Sequence, residues 1–337
     1  MLFNCIPPLF PYTSILIKRN VTNNYFFDSG RSALLTIINY LKSKHQNLIF
    51  LIPAYTCHSV LDILIQSKVN YDFIDLSNDL NFDLDDLNTV VKIYKEKKIV
   101  LIATSLFGAE LKDYKSIYKD FIIIEDLAQS TISNNTMNSD FQFTSYGRGK
   151  LVSSWNGGMV KTRHEGFKII YEKLDIQYDF CKSFILSNIQ KFISRYMWLL
   201  VEKSPLNPQK EKRIIECFVE PKRISNTKIN WILTSMSCIN TNDRIMRSNQ
   251  YLKKINKEYL FDLKENIPYL RFPIKKKIKY NGISYMDDYS LVYESARKKR
   301  KKDFNIPQIL AYSCCFLPTH NLVNENYIND ILGTINE

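Results

Sequence analysis

The sequence predicts an α/β protein: a large domain with a mostly parallel sheet between helices, followed by a small C-terminal α+β domain. Three observations carry that prediction. Between residues 30 and 162, short apolar runs alternate with stretches of helical periodicity. Those runs are rich in β-branched residues and lack polar alternation, as expected of strands covered on both faces. After Thr162 the alternation fades.

Taken in order, Ser29-Gly30 form a turn and cap before Ala33, Leu34, Ile37, Ile38 and Leu41, which recur at helical spacing. Asn47 to Tyr55 (NLIFLIPAY) reads as a buried strand stopped by Pro53. Val60, Leu61, Leu64 and Ile65 predict a helix, Val69 to Leu76 a strand, and Asp83 to Lys97 a polar-faced helix behind an acidic cap. Lys98 to Leu106 and Phe121 to Asp126 are again buried strands. Residues 164–204 read as helices with mixed faces, and 205–225 as a polar connector containing Pro and Lys. One long helix is expected over 226–260, then short strands at Leu270 to Ile274 and Gly282 to Tyr285, and a last helix from Asn324. The division expected is 1–225, a large domain with an N-terminal arm, and 226–337, a small domain.

Composition narrows the function classes. With 45% apolar, 24% charged and 13% aromatic residues, and only 9 Gly and 11 Pro, the chain is neither disordered nor collagen-like nor of low complexity. Its 337 residues suggest about two domains. Lys and Arg total 46 against 34 Asp and Glu, a net charge of +12. That balance admits nucleic acid, an anionic membrane surface or a phosphorylated small molecule. The richness in Ile, Asn and Lys looks like an AT-rich genome, which weakens the charge argument. The run Arg297 to Lys302 (RKKRKK) reads as a solvated helix face or loop.

Seven scattered Cys without CxxC spacing support neither a disulfide framework nor a zinc site. Pro7, Pro8 and Pro11 interrupt any signal-like apolar region, and the stretch from Phe192 to Val201 is too short to span a bilayer. A soluble, reduced, cytoplasmic protein is expected, with no nucleic acid partner and no membrane insertion.

In a parallel sheet, ligands collect at the carboxyl ends of the strands. The residues able to do chemistry fall there: Pro53 to His58, Thr104 to Gly108, and Asp126 to Gln129. The strongest set is IIIEDLAQ (122–129) followed by FTSYGRGKLVSSWNGG (143–158). An acid at a buried strand end can hold a protonated heteroaromatic nitrogen through a charge-assisted bond. A lysine desolvated beside such a ring becomes a nucleophile for a carbonyl. Ser145 can offer a hydroxyl to a phosphate, and Gly147 and Gly149 allow close backbone approach.

These segments resemble the fold-type I, pyridoxal-phosphate-dependent sugar aminotransferases of the DegT/DnrJ/EryC1/StrS group. Glu125, Asp126, Ala128 and Gln129 match that family's E-D-x-A-Q/H pattern. Ser145, Tyr146, Lys150, Gly157, Gly158 and the strand Met159 to Thr162 match its S-F-x-x-x-K segment and G-G turn. Ser29, Gly30, Ala33 and Leu34 match its early phosphate loop, with Arg31 and Ser32 at the phosphate-contacting positions. Ile52 to Cys57, Phe73 to Leu76, Leu106 to Gly108 with Asp113, and Leu317 to His320 echo further segments, in order along nearly the whole chain.

The resemblance implies pyridoxal 5'-phosphate as cofactor. Lys150 would be its covalent anchor and the proton shuttle. Asp126 would keep the ring nitrogen protonated, and Gln129 would lie against the ring or its 3′-oxygen. Gly30, Arg31, Ser32 and Ser145 would hold the phosphate, helped by a helix N-terminus. It further implies an amino-acid donor such as glutamate, a nucleotide-sugar acceptor, a role in surface polysaccharide or amino-sugar biosynthesis, and a homodimer. His58 and His320 are substrate-side candidates.

Three departures stand out. Cys57 occupies the position of an aromatic residue that stacks on the ring, leaving Tyr55 or His58 to substitute. VEPKR (219–223) falls where the family usually has G-Y-N-Y-R, whose Asn reaches the neighbouring subunit's phosphate, so that Lys222 or Arg223 would have to replace it. Trp155-Asn156 replace G-E/D. The alternatives are a sugar dehydratase, in which His commonly replaces the lysine, a non-enzymatic ligand-binding paralogue, and a nucleic-acid binder resting on Arg297 to Lys302.

Overall fold

Six consecutive buried residues, Leu48–Pro53, make β2, the run that the sequence marks as covered on both faces. Its neighbours are β3 (Asn70–Ile74) and β4 (Lys98–Thr104), both parallel to it. β5 (Ile122–Asp126) and β6 (Phe141–Ser145) extend the parallel array. β7 (Gly158–Thr162) then runs antiparallel between β6 and β1 (Asn24–Phe27). Short strands β8 (Ile176–Gln177) and β9 (Arg223–Ile224) complete the order β3-β2-β4-β5-β6-β7-β1-β9-β8 among the described residues.

The computed structural model describes residues 23–130, 138–147, 149–186, 188–189, 192, 218–237, 239–280, 283 and 287–336. The expected N-terminal arm, most of the 192–217 region and, apart from Ile283, the strand expected at Gly282 to Tyr285 lie outside the described residues.

Side-chain alternation assigns the two faces. Phe50, Ile52, Val100, Ile102, Ile122 and Ile124 pack with α1 (Gly30–Lys44), α2 (His58–Gln66) and α5 (Glu165–Glu172). Ile49, Leu51, Ile99, Leu101, Ala103 and Ile123 face α3 (Leu84–Ile93) and Tyr114 of the short α4 (Tyr114–Ile117). Between residues 30 and 126 the observed strands and helices sit where the sequence places them, with ends moved by up to four residues, whereas β1, β6, β8 and β9 answer to no strand expected from the apolar pattern. Asp83 caps α3 by accepting from the Asp86 N–H, as an acidic cap should.

The C-terminal segment departs further from expectation. The single helix expected over 226–260 is two: α6 (Asn226–Ser237) and α7 (Asn242–Lys254). At the break the Asn240 side chain accepts from the Asn242 N–H, the local competition with the helix ladder that makes Asn a poor interior residue. Then follow β10 (Phe272–Ile274), α8 (Asp287–Arg300), α9 (Asn305–Tyr312), β11 (Cys315–Leu317) and α10 (Glu325–Asn336). β10 and β11 pair antiparallel over a core that includes Tyr251, Phe316 and Ile331.

The basic run 297–302 is also not simply solvated. Arg300 donates to the Phe73 carbonyl at 2.8 Å and pairs with Asp86 and Asp72. Lys302 pairs with Asp86, and the Lys299 ammonium lies 3.7 Å from the centre of the Tyr71 ring. Half of the cluster thus docks α8 on the edge strand β3, whose acidic and aromatic residues the run could not reveal. Among the described residues, no helix is long and apolar enough to cross a membrane, and no His, Cys, Asp and Glu cluster could hold a metal.

Candidate active site

A cavity of about 450 Å³ opens at the carboxyl ends of β5 and β6, against the start of α1. Its first wall is that helix terminus. Ser29 caps α1 by accepting from the Ser32 N–H at 3.1 Å, which leaves Gly30 and Arg31 facing the cavity. The approach is too close for larger residues. A Cβ on Gly30 would lie 2.8 Å from Ser145 Cβ, and one on Gly158 would lie 2.4 Å from the Ser29 carbonyl oxygen. Two glycines therefore let a helix N-terminus, with its positive dipole end, reach the end of β6.

The floor is Asp126, the last residue of β5 and only 3% exposed. Its carboxylate accepts from the Ala128 N–H at 3.0 Å. Burial pushes its pKa up; the Ala128 N–H, the charge of Lys150 and the Thr104 hydroxyl pull the other way. Lys150 lies on the loop after β6. There Tyr146 donates to the Gly157 carbonyl and Ser154 to the Tyr146 carbonyl, both at 2.8 Å. Positive φ at Gly149, Trp155 and Gly157 folds that loop back on itself.

The third wall is built from fixed polar groups. Gln129 Oε1 accepts from the Phe107 N–H at 3.2 Å, and its Nε2 donates to the Tyr289 hydroxyl at 2.8 Å. Arg271, just before β10, and Tyr289, on α8, bring the C-terminal segment into the lining. Burial raises the Tyr289 pKa, so its hydroxyl remains a proton carrier at neutral pH. Among the described residues, the lining contains three basic side chains, Arg31, Lys150 and Arg271, and one carboxylate, Asp126. That is a cavity for an anionic ligand.

Of the residues singled out from the sequence, Gly30, Arg31, Cys57, Asp126, Gln129, Ser145 and Lys150 line this cavity. Ser32 does not. It is buried, and its hydroxyl bonds the Ser29 hydroxyl at 2.9 Å, so it shapes the turn. His58 begins α2 without lining the cavity; its neighbours Ser59 and Val60 do. His320 is 1% exposed in the C-terminal core, where burial and the charges of Arg244 and Arg247 hold its pKa well below the ordinary value. It is a neutral core histidine rather than a substrate-facing one. Tyr55 packs against Phe107 and Tyr289, so Cys57 faces the cavity without an aromatic substitute from Tyr55. Arg223 begins β9 opposite Phe27, and the Lys222 carbonyl accepts from the Asp28 N–H; neither lines the cavity.

Sequence reasoning missed Arg271 and Tyr289. Tyr289 shares a helical stripe with Val292, Tyr293 and Ala296, so its spacing reads as core. Arg271 did leave a signal, a charge inside the apolar run YLRFPI.

No family model matches this sequence, and no curated protein matches it. Solved structures do. An aminotransferase of pseudoaminic acid biosynthesis, PseC from Helicobacter pylori, superposes with a TM-score of 0.65 at 13% identity, over 93% of this chain and 85% of that one. A DegT DnrJ EryC1 StrS aminotransferase from Brucella abortus gives 0.61 at 15% identity, over 93% and 84%. GDP-4-keto-6-deoxymannose-3-dehydratase, solved with a trapped PLP-glutamate geminal diamine, gives 0.66 at 14% identity, over 93% and 88%. The chain has the fold-type I architecture of these pyridoxal-phosphate enzymes, a large, mostly parallel sheet flanked by helices, along nearly its whole length.

Proposed function

We propose that this protein is a pyridoxal-phosphate-dependent aminotransferase that moves an amino group from an amino acid, glutamate by resemblance, to a nucleotide-linked keto sugar. The observation that carries the reading is the convergence of Asp126, Lys150 and the α1 N-terminus on one anion-suited cavity. The residues present fit the cofactor. The approach of Gly30 to Ser145, which a Cβ would block, puts helix N–H groups and a hydroxyl together at one end. A buried carboxylate and a lysine lie at the other.

When bound, pyridoxal phosphate supplies an electron sink that acidifies the bond to hydrogen at the substrate carbon bearing nitrogen. The chain's own groups do the rest. Gly30, Arg31 and Ser145 bind the phosphate, and Asp126 holds a proton at the ring nitrogen. Gln129, pinned at both ends of its amide, fixes one wall. Lys150 Nζ anchors the cofactor and, as a free amine, moves a proton at the substrate. Buried Tyr289 and Leu34 exclude water.

A dehydratase is less favoured, because by the same resemblance a histidine commonly stands at that enzyme's counterpart of Lys150. The reading extends to a homodimer acting in the cytoplasm on amino-sugar precursors of surface polysaccharides, with a division into 1–225 and 226–337. The test is the visible absorption spectrum of purified protein with added pyridoxal phosphate, with and without glutamate, repeated for Lys150→Ala. A red-shifted band that responds to glutamate and is missing from the variant is the expected result. No band at saturating cofactor in the wild type ends the aminotransferase reading and leaves the ligand-binding paralogue.

A further inference from the structure

Lys228 is the third residue of α6, and its side chain is 0% exposed. Two costs attach to that position. Burial disfavours the ammonium, and a cation in the first turn opposes the helix dipole. The structure meets both with a dense set of partners. Lys228 Nζ donates to Asp179 Oδ1 at 2.9 Å and Oδ2 at 3.2 Å, to Ser183 Oγ at 3.0 Å, and to Asn156 Oδ1. Asn156 Nδ2 donates to Asp179 Oδ2 at 2.8 Å, and the Ser183 hydroxyl bonds both Asp179 and Asn156.

This cluster lies behind the cavity at its phosphate end. Asn156 is itself a lining residue, and the adjacent Gly157 is bridged to Ser29, the cap of α1. On the helix side stands Asp28, a half-buried carboxylate next to that cap. Burial pushes its pKa up, while the Ser32 hydroxyl and the Lys228 charge pull the other way. The loop carrying Lys150 therefore leans on one buried cation through Asn156, and the Gly157–Ser29 bridge ties the turn carrying Gly30 to the same loop.

We propose that Lys228 is a positioning residue. Its ammonium holds the Asn156 wall in place and offsets the carboxylates behind the cavity, and so sets the affinity of the cavity for the anionic end of its ligand. The inference rests on the cofactor reading above. It adds a residue that touches no ligand and lies 78 positions beyond the lysine that does (228 − 150). Without Lys228, Asp28 and Asp179 would stand uncompensated behind a phosphate, in a medium that screens charge weakly.

The experiment compares pyridoxal phosphate with pyridoxal, which has the ring and aldehyde but no phosphate. Dissociation constants are read at pH 8 from the visible band and from tryptophan fluorescence, since Trp155 lines the cavity. Lys228→Met is expected to weaken pyridoxal phosphate about tenfold more than it weakens pyridoxal. Asp28→Asn, which keeps the shape and the lysine, is expected to shift the same ratio the opposite way. A merely structural cluster would make both variants weaken both ligands alike, and that result overturns the proposal. Where Lys228→Met fails to fold, Asp28→Asn decides alone: an unchanged or lowered preference for the phosphorylated ligand overturns it. If wild-type protein binds neither ligand, the cofactor reading is what fails. The same comparison then runs with inorganic phosphate, read by thermal shift, and equal shifts in all variants overturn the proposal.

Discussion

Asp126 and Asp140 lie at opposite ends of neighbouring parallel strands, and their carboxylates meet opposite surroundings. Asp126 closes β5 under the cavity, where burial pushes its pKa up. Asp140 precedes β6 at the amino end of the sheet, level with Ile123 and roughly 10 Å away along the strand direction. There Lys115 and the Ile123 N–H each approach it at 2.9 Å, with His164 at 3.7 Å. These partners outweigh its desolvation and hold its pKa at about 2. The carboxyl end of the sheet keeps a buried charge that its partners only partly compensate; at the amino end the partners outweigh burial. A site is recognised here by what its charges lack, a stability element by what they have.

The sharpest test of that contrast is Asp126→Asn. An amide cannot hold a proton at a ring nitrogen as an anion does, so turnover should fall by about a hundredfold or more. Stability should not fall with it. A carboxyl whose folded pKa is raised binds more protons folded than unfolded, so it subtracts stability as pH rises. Removing it should leave the melting temperature of the cofactor-free protein unchanged or higher. Turnover within threefold of wild type, measured in steady state with glutamate, would sink the assigned role of Asp126.

Much of this was legible in the sequence because the sheet is built from local signals. Six-residue apolar runs, a cap at Asp83 and strand-end residues such as Asp126 each declare themselves within a short window. The cavity residues missed, Arg271 and Tyr289, come from a segment more than 100 residues away, where only tertiary packing brings them to the cavity and Tyr289 against Gln129. His320 failed for the complementary reason. A motif can place a histidine in a turn, but whether that turn faces ligand or core depends on Arg244 and Arg247 of α7. The basic run was misread likewise, since its partners Tyr71, Asp72 and Asp86 lie on a different layer.

A smaller effect is expected from Gly158→Ala, which probes close packing at the cavity end rather than charge. The new methyl would sit 2.4 Å from a backbone oxygen, the Ser29 carbonyl, which cannot rotate aside as a side chain would. Overpacking of this kind costs about 1–3 kcal/mol, a fall in melting temperature of roughly 3–10 °C for a domain of this size. The cap of α1 would move with it, so phosphate-end affinity should fall in parallel. A variant as stable as wild type with unchanged cofactor affinity would show that the approach is not tight.

The smallest expected effect lies at the amino end of the sheet and concerns acid stability. The folded pKa of Asp140, about 2, lies below its ordinary value of 3.8. The folded chain therefore binds fewer protons than the unfolded chain between those values. The stability this group contributes is present above about pH 4 and is lost as pH falls towards 2. Asp140→Asn should remove about 1 kcal/mol at neutral pH, since an amide still accepts from the Ile123 N–H but presents no charge to Lys115. Urea unfolding at a series of pH values should show a flatter acid limb for the variant, with kcat and KM unchanged. An acid limb identical to that of wild type would mean that the compensation around Asp140 adds nothing to folding. A loss of turnover would mean that the two ends of the sheet are not independent.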